Sequence, residues 1–265
     1  MRFIVFILFI LTSISHAAFE NKNSGASNVG LSLSGLASSS PDFAVFNNPA
    51  LISGEYSVDL FYRNYFGINE LNQIALATEL NLFKQPFALG VIRYGNKLYA
   101  ETEIAFGSSF GIGETVFLGL AVHSNFLEIK NYGSTWTFGL NFAMMYLIND
   151  QIRLAGMLSN FNEPEIGASG EKIPLSGSIG LSYLPIPDVE LLIDSYKEDF
   201  FDFAYRLGTR IKVIKNINIL AGFQNSINSF SAGLEILQNN YAIKYSVDIH
   251  PVLNASHAIG IKYVF

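Results

Sequence analysis

Hydrophobic and polar positions alternate with period two through most of this chain, from Tyr56 to Phe265. The stretch Trp136–Ile148 carries the pattern most fully. Trp136, Phe138, Leu140, Phe142, Met144, Tyr146 and Ile148 share one parity; Thr135, Thr137, Gly139, Asn141, Ala143, Met145 and Leu147 share the other. Successive side chains on a strand point to opposite faces, so this parity predicts one apolar face and one mixed face. Fourteen such segments are expected, at roughly 54–66, 71–83, 86–95, 98–112, 114–128, 133–148, 151–160, 173–184, 188–197, 200–214, 216–225, 228–237, 240–249 and 254–265. Turn residues stand between them, among them Gly67, Lys84-Gln85, Gly113, Asn149-Asp150 and Gln238-Asn239.

Alternation alone fits a soluble β-sandwich as well as a membrane barrel. In the first the apolar face meets a core, and in the second it meets lipid. Three features favour the barrel. The apolar faces are longer than the ~5–6 residues of soluble strands and are capped by aromatics. Trp136 and Tyr146 lie ten residues apart on one face, which at ~3.4 Å per residue and ~40° tilt spans roughly 26 Å, the height of the apolar band between two aromatic girdles. The longest connection, Phe161–Lys172, is the seventh, and odd-numbered connections of an even-stranded barrel face outward, where long loops belong. Finally, Tyr263 and Phe265 close the last alternating segment and look like the signal by which outer-membrane barrels are recognised for insertion.

Composition narrows the picture. Only 14% of the 265 residues are charged, against about 25% in soluble domains. The 23 Phe, 13 Tyr and 22 Gly favour strands and tight turns. A net charge of −6 argues against a nucleic-acid partner. With no cysteine, a disulfide framework, thiolate metal sites and an N-terminal lipid on cysteine are excluded. Arg2, the apolar run Phe3–Leu11 and the small residues of Ser15-His16-Ala17 read as a signal peptide over residues 1–17. The run is too short to span a bilayer as a helix. The expected product is an exported all-β protein of the bacterial outer membrane: a transmembrane antiparallel barrel over 54–265, with outer-membrane lipid and the barrel-assembly machinery as partners and no cofactor.

Residues 18–53 differ. Asn21–Ser40 is rich in Ser, Gly and Asn and does not alternate, which predicts turns or one short helix. Pro49 pushes Asn48 out of the helical region, and Phe43, Val45 and Phe46 are suited to anchor the segment against an inner wall. The stretch from Gly30 to Leu51 resembles the N-terminal hatch signature of the long-chain fatty acid outer-membrane transporter (FadL-like) superfamily, with a similar segment in PorV/PorQ-type proteins. Asp42, Phe46, Asn48, Pro49, Ala50 and Leu51 carry the match. Ser40-Pro41 stands where a second acidic residue often precedes it. The resemblance implies a fourteen-stranded barrel closed by a hatch over 18–53, which either plugs the lumen or contributes to a ligand site. The chain is shorter than the fatty-acid transporters, and its outward loops are brief.

The inward parity collects charge: Asp59, Arg63, Glu79, Glu190, Asp194, Asp202, Arg206, Arg210, Glu235, Lys244, Asp248 and Lys262. Such charges must pair or be solvated. They predict either a polar, salt-bridged lumen or a grip by Arg206 and Arg210 on Asp42 of the hatch or on an anionic solute. His123-Ser124 is the one pair worth testing for hydrolase chemistry, but adjacent strand residues point apart, so no enzyme is expected. Two functions remain in view. One is passive passage or binding of a hydrophobic or small solute, gated by the hatch. The other, implied by the PorV/PorQ resemblance, is a non-transporting partner in protein secretion or surface attachment.

Overall fold

In the computed structural model, the described residues are Phe19, 24–167, 170–199 and 201–265. The expected signal peptide lies outside them. The strands are β1 (Ser57–Asn64), β2 (Asn72–Leu82), β3 (Gln85–Gly95), β4 (Tyr99–Ile112), β5 (Val116–Ile129), β6 (Gly133–Leu147), β7 (Ile152–Ser159), the two-residue β8 (Glu165–Ile166) and β9 (Glu171–Lys172), then β10 (Ser176–Ile186), β11 (Val189–Glu198), β12 (Ala204–Ile214), β13 (Ile217–Gln224), β14 (Ser229–Gln238), β15 (Tyr241–Ile249) and β16 (Ser256–Val264). All but β8 and β9 form one closed antiparallel barrel of fourteen strands, as the alternation predicts. Closure is by β1 on β16, with Ser57 opposite Val264 and Asn64 opposite His257.

Closure leaves no strand edge unpaired. It also puts the whole apolar parity on the outside. On β6, Trp136 is 58% exposed and Tyr146 41%, while Ala143 and Met145 on the other parity are 0% and 2% exposed. An apolar belt of this extent around a barrel is stable in lipid and not in water.

The connections differ between the two ends. One end carries tight turns such as Phe83-Lys84, where both residues adopt positive φ, the geometry of a two-residue hairpin turn. The other end carries the longer loops. The longest is residues 160–175, and the β8–β9 hairpin inside it was not expected from the sequence. One strand start is corrected as well. β12 begins at Ala204, so Asp202 is an exposed loop residue and not a lumen charge. Phe201 and Phe203 flank it and are exposed too. Aromatic residues near the loop end extended the apparent alternation past the last ladder pair, Tyr196 with Ala204.

Residues 24–53 lie inside the lumen and fill part of it. They form α1 (Ala26–Gly30), α2 (Ala44–Asn47) and a 3-10 turn at Pro49–Leu51, joined by irregular backbone. Inward positions of the facing strands are small, including Ala75, Ala77, Ala88, Ala105, Ala121 and Ala143, and this makes room for the segment. Phe43, Val45, Phe46 and Ile52 pack with Phe61 and Ile92 on one side. Leu36 and Ala50 pack with Met145 and Met157 on another. Each buried large side chain contributes about 1.5–3 kcal/mol. Two wall glycines are required by close approach. A Cβ on Gly119 would lie 2.1 Å from the Ala50 nitrogen, and one on Gly222 would lie 2.4 Å from the Leu31 carbonyl carbon.

Candidate functional site

Irregular backbone inside a barrel needs partners for its N–H and C=O groups. Here the wall's polar side chains supply them. Wall carboxylates accept from the segment's N–H groups: Glu79 from Ser53 (2.9 Å) and Gly54 (3.3 Å), Glu190 from Ser39 (2.6 Å), and Asp194 from Leu36 (3.0 Å). Wall donors reach its carbonyls: Ser246 to Ala26 (2.6 Å), Ser231 to Gly30 (3.0 Å), Ser109 to Ile52 (2.6 Å), Arg206 to Leu33 (3.4 Å) and Arg210 to Ser40 (3.2 Å). The inward charges thus serve largely as side-chain partners for a loop-like peptide.

The expectation that Arg206 and Arg210 grip Asp42 is corrected. Asp42 pairs with Lys244 of β15 and accepts the Ser27 N–H at 2.9 Å. Burial alone would raise this carboxyl, but the Lys244 ammonium and the bonds from Ser27 outweigh it and hold it below the usual carboxylate range. Arg210 instead lies between Glu190 and Glu235, 3.3 Å from the latter, and donates to Ser38 Oγ at 3.0 Å. Arg206 stacks on the Tyr196 ring at 4.6 Å. Both arginines still hold the segment, through its serines and carbonyls. Arg63 makes a separate pair with Asp248 at 2.9 Å and lies over the Tyr65 ring at 4.2 Å.

The remaining motif residues are placed as follows. Asn48 is extended, with φ −166° and ψ 99°. Its amide donates to the Leu36 carbonyl at 2.7 Å and accepts from the Ala50 N–H at 2.9 Å, capping the turn that Pro49 opens. Phe46 packs 6.1 Å from the His123 ring, centroid to centroid. Leu51 is half-buried between the two apolar clusters. Trp136 and Tyr146 are on the outer face of β6. At the turn end, the Phe265 N–H donates to the Tyr56 carbonyl at 2.9 Å, and its ring meets Tyr263 at 4.9 Å.

Toward the loop end the lumen is not filled. A cavity of about 570 Å³ of non-atom space, counting the part open to solvent, has Phe46 and Asn47 of the segment as its floor. Glu103, His123, Asn125, Asn141 and Ser159 line its walls. His123 faces Glu103 and Asn141, not Ser124, whose side chain has the opposite strand parity. The alternation placed His123 inward, but nothing in a period-two pattern says that Asn125 and Asn141 share its cavity. A run of inward His, Asn and Asn on paired strands was the available signal.

No protein-family model matches the chain, and no curated protein sequence does. Solved structures do resemble it. The CymD monoaromatic hydrocarbon channel is 12% identical and superposes with a TM-score of 0.69, covering 94% of this chain and 99% of that one. The Pseudomonas putida toluene transporter TodX is 11% identical, with a TM-score of 0.65 over 90% of this chain and 97% of that one. A deletion mutant of the TodX channel reaches 0.70 at 10% identity, over 90% and 98% of the two chains. At these identities the likeness establishes a shared barrel fold. This chain shares the closed-barrel fold of those proteins.

Proposed function

We propose that this chain is an outer-membrane channel for passive passage of a small solute, with residues 24–53 as its gate. One observation carries the reading: a cavity reaches from the loop end to the segment and stops on Phe46 and Asn47. The segment is held by hydrogen bonds and ion pairs that can exchange for water, and not by apolar packing alone. Similarity to monoaromatic hydrocarbon channels supports membership in the FadL-like class of barrels. Short turns at one end and longer loops at the other support an orientation with the cavity toward the exterior. In this reading, movement follows the gradient.

The density of that clamp favours a second reading, a sealed barrel of PorV/PorQ type that serves secretion or surface attachment. Flux separates the two. Full-length protein in liposomes is assayed by osmotic swelling with small neutral solutes, alongside Lys244→Ala, which leaves Asp42 without its partner. A channel admits solute, and the variant admits it faster. No swelling with either protein, both correctly folded, points to the sealed barrel.

A further inference from the structure

A series of small cavities runs through the lumen. The loop-end cavity offers about 50 Å³ to the centre of a water-sized sphere, and Asn47 is part of its floor. Asn47 also lines two smaller cavities. One, of about 20 Å³ on the same measure, lies against Asp194 and Arg206 of the wall. The other, of about 10 Å³, lies among Ser27, Asp42 and Arg210. Ser40 and Pro41 divide that one from a fourth, of about 240 Å³, which opens beside Asn239, Asn240 and Tyr241 at the turn end. A water needs roughly 10–15 Å³ on this measure, so the series has room for water from one end of the lumen to the other.

The lining of this series calls for polar contents. Ser27 Oγ, Asp194 Oδ1 and Glu235 Oε1 are buried and have no hydrogen-bond partner among the described residues. One of them lines each of the three cavities beyond the loop-end one. Buried oxygens are nearly always satisfied, so each marks a place for a water or a solute hydroxyl. Formal charges along these cavities balance: Asp194 with Arg206, Asp42 with Arg210, and Glu55 and Glu235 with Lys244 and Lys262. The route therefore offers hydrogen bonds with little net pull on either sign of ion, and offers little to a hydrocarbon. One side chain stands across it. Asn47 accepts the Ser24 N–H at 3.2 Å and donates to the Ser24 and Asp42 carbonyls at 2.6 and 2.7 Å. Asp42 adjoins Pro41, so the same bracket steadies both narrow points.

Resting on the reading of the barrel as a gated channel, we infer that solute threads the segment along this route, with Asn47 as the constriction, and that the route admits small uncharged polar solutes of about the size of glycerol. Opening is a local shift that swings Asn47 aside while residues 24–53 stay in the lumen. A larger solute is refused because the cavities on either side of Asn47 are narrow.

The test uses full-length protein in liposomes, with uptake of glycerol and of sucrose followed by light scattering. Ser32 Oγ lies 2.7 Å from Ser231 Oγ, so a disulfide in Ser32→Cys/Ser231→Cys locks the segment to β14. In this locked protein, Asn47→Ala is expected to raise glycerol uptake at least fivefold and to leave sucrose excluded. An unchanged glycerol rate, or sucrose entering as fast as glycerol, overturns the inference, while flux through the reduced protein with Asn47 in place keeps the channel standing. Asn47→Cys alone gives a second measurement that needs no disulfide. Its glycerol uptake should fall at least fivefold when a bulky methanethiosulfonate modifies the thiol. An unchanged rate, with the modification verified by mass, also overturns the route. Heat-modifiable gel mobility checks the folding of each variant. If no form of the protein admits glycerol, oxidised or reduced, the channel reading itself fails and the inference falls with it.

Discussion

At the scale of single residues, the plug depends on a few groups with no substitute. The Asp42–Lys244 pair is buried on both sides. Breaking such a pair by truncating one partner costs about 3–5 kcal/mol, because the survivor keeps its desolvation penalty. Lys244→Ala should therefore lose stability on that order in denaturant unfolding, while Asp42→Leu combined with Lys244→Met should recover most of it. The pH response has a definite sign. The Asp42 carboxyl is held below its ordinary value, so the stabilisation it provides is full above the unfolded pKa of about 3.9 and is lost as pH falls through the lower folded value. Protection of residues 24–53 from an acid-active protease should persist to about pH 4 and fail below it. Gly119 gives a steric counterpart. A Cβ there would meet backbone, not a flexible side-chain end. Gly119→Ala should displace the Pro49–Leu51 turn and raise protease access to the segment, with the barrel still heat-modifiable. At this scale the sequence was only partly readable. Parity identifies which face a residue occupies, and Arg206, Arg210 and Lys244 all reach the luminal segment. It does not report which way around the barrel a charge lies from the plug, so Asp42 was matched to the wrong cation.

At the scale of elements, the strands were legible because lipid imposes a strict pattern on them. A residue facing hydrocarbon must be apolar, and the period of two is therefore kept along nearly the whole of β6, from Trp136 to Tyr146. The same constraint gives a prediction: Phe138→Arg, on the outer face of β6, should destabilise the barrel by about 2–4 kcal/mol if near the bilayer midplane, and Thr137→Arg on the inner face by much less. Unfolding titrations in lipid vesicles measure both. Loops are free of the lipid constraint, and there the reading failed. The alternation predicts a start for β12 near residue 200, before the observed Ala204, and so assigns Asp202 to the lumen; the β8–β9 hairpin has too few residues to generate a pattern. The N-terminal segment was recognisable as irregular from its Ser, Gly and Asn content and its Asn48-Pro49 step. Its three short helical turns were not separable, since each is shorter than two helical turns.

At the scale of the whole molecule, wall and plug account for each other. Small inward residues on β2 to β6 leave a space, and the segment fills it. Inward serines and carboxylates would be costly in an empty apolar tube, and here they satisfy a peptide backbone. The filling is uneven, and the outer half retains a polar cavity. The central claim is that solute passes only when the segment shifts, and the chain offers a clean way to test it. It contains no cysteine, and Ser32 Oγ of the segment lies 2.7 Å from Ser231 Oγ of β14, close enough for a disulfide to replace that contact. The measurement is solute flux through Ser32→Cys/Ser231→Cys in liposomes, before and after reduction. Flux should be suppressed while the disulfide is formed and should return to the unmodified level when it is reduced. Equal flux in the two states, with the disulfide verified by mass, would contradict gating by the segment.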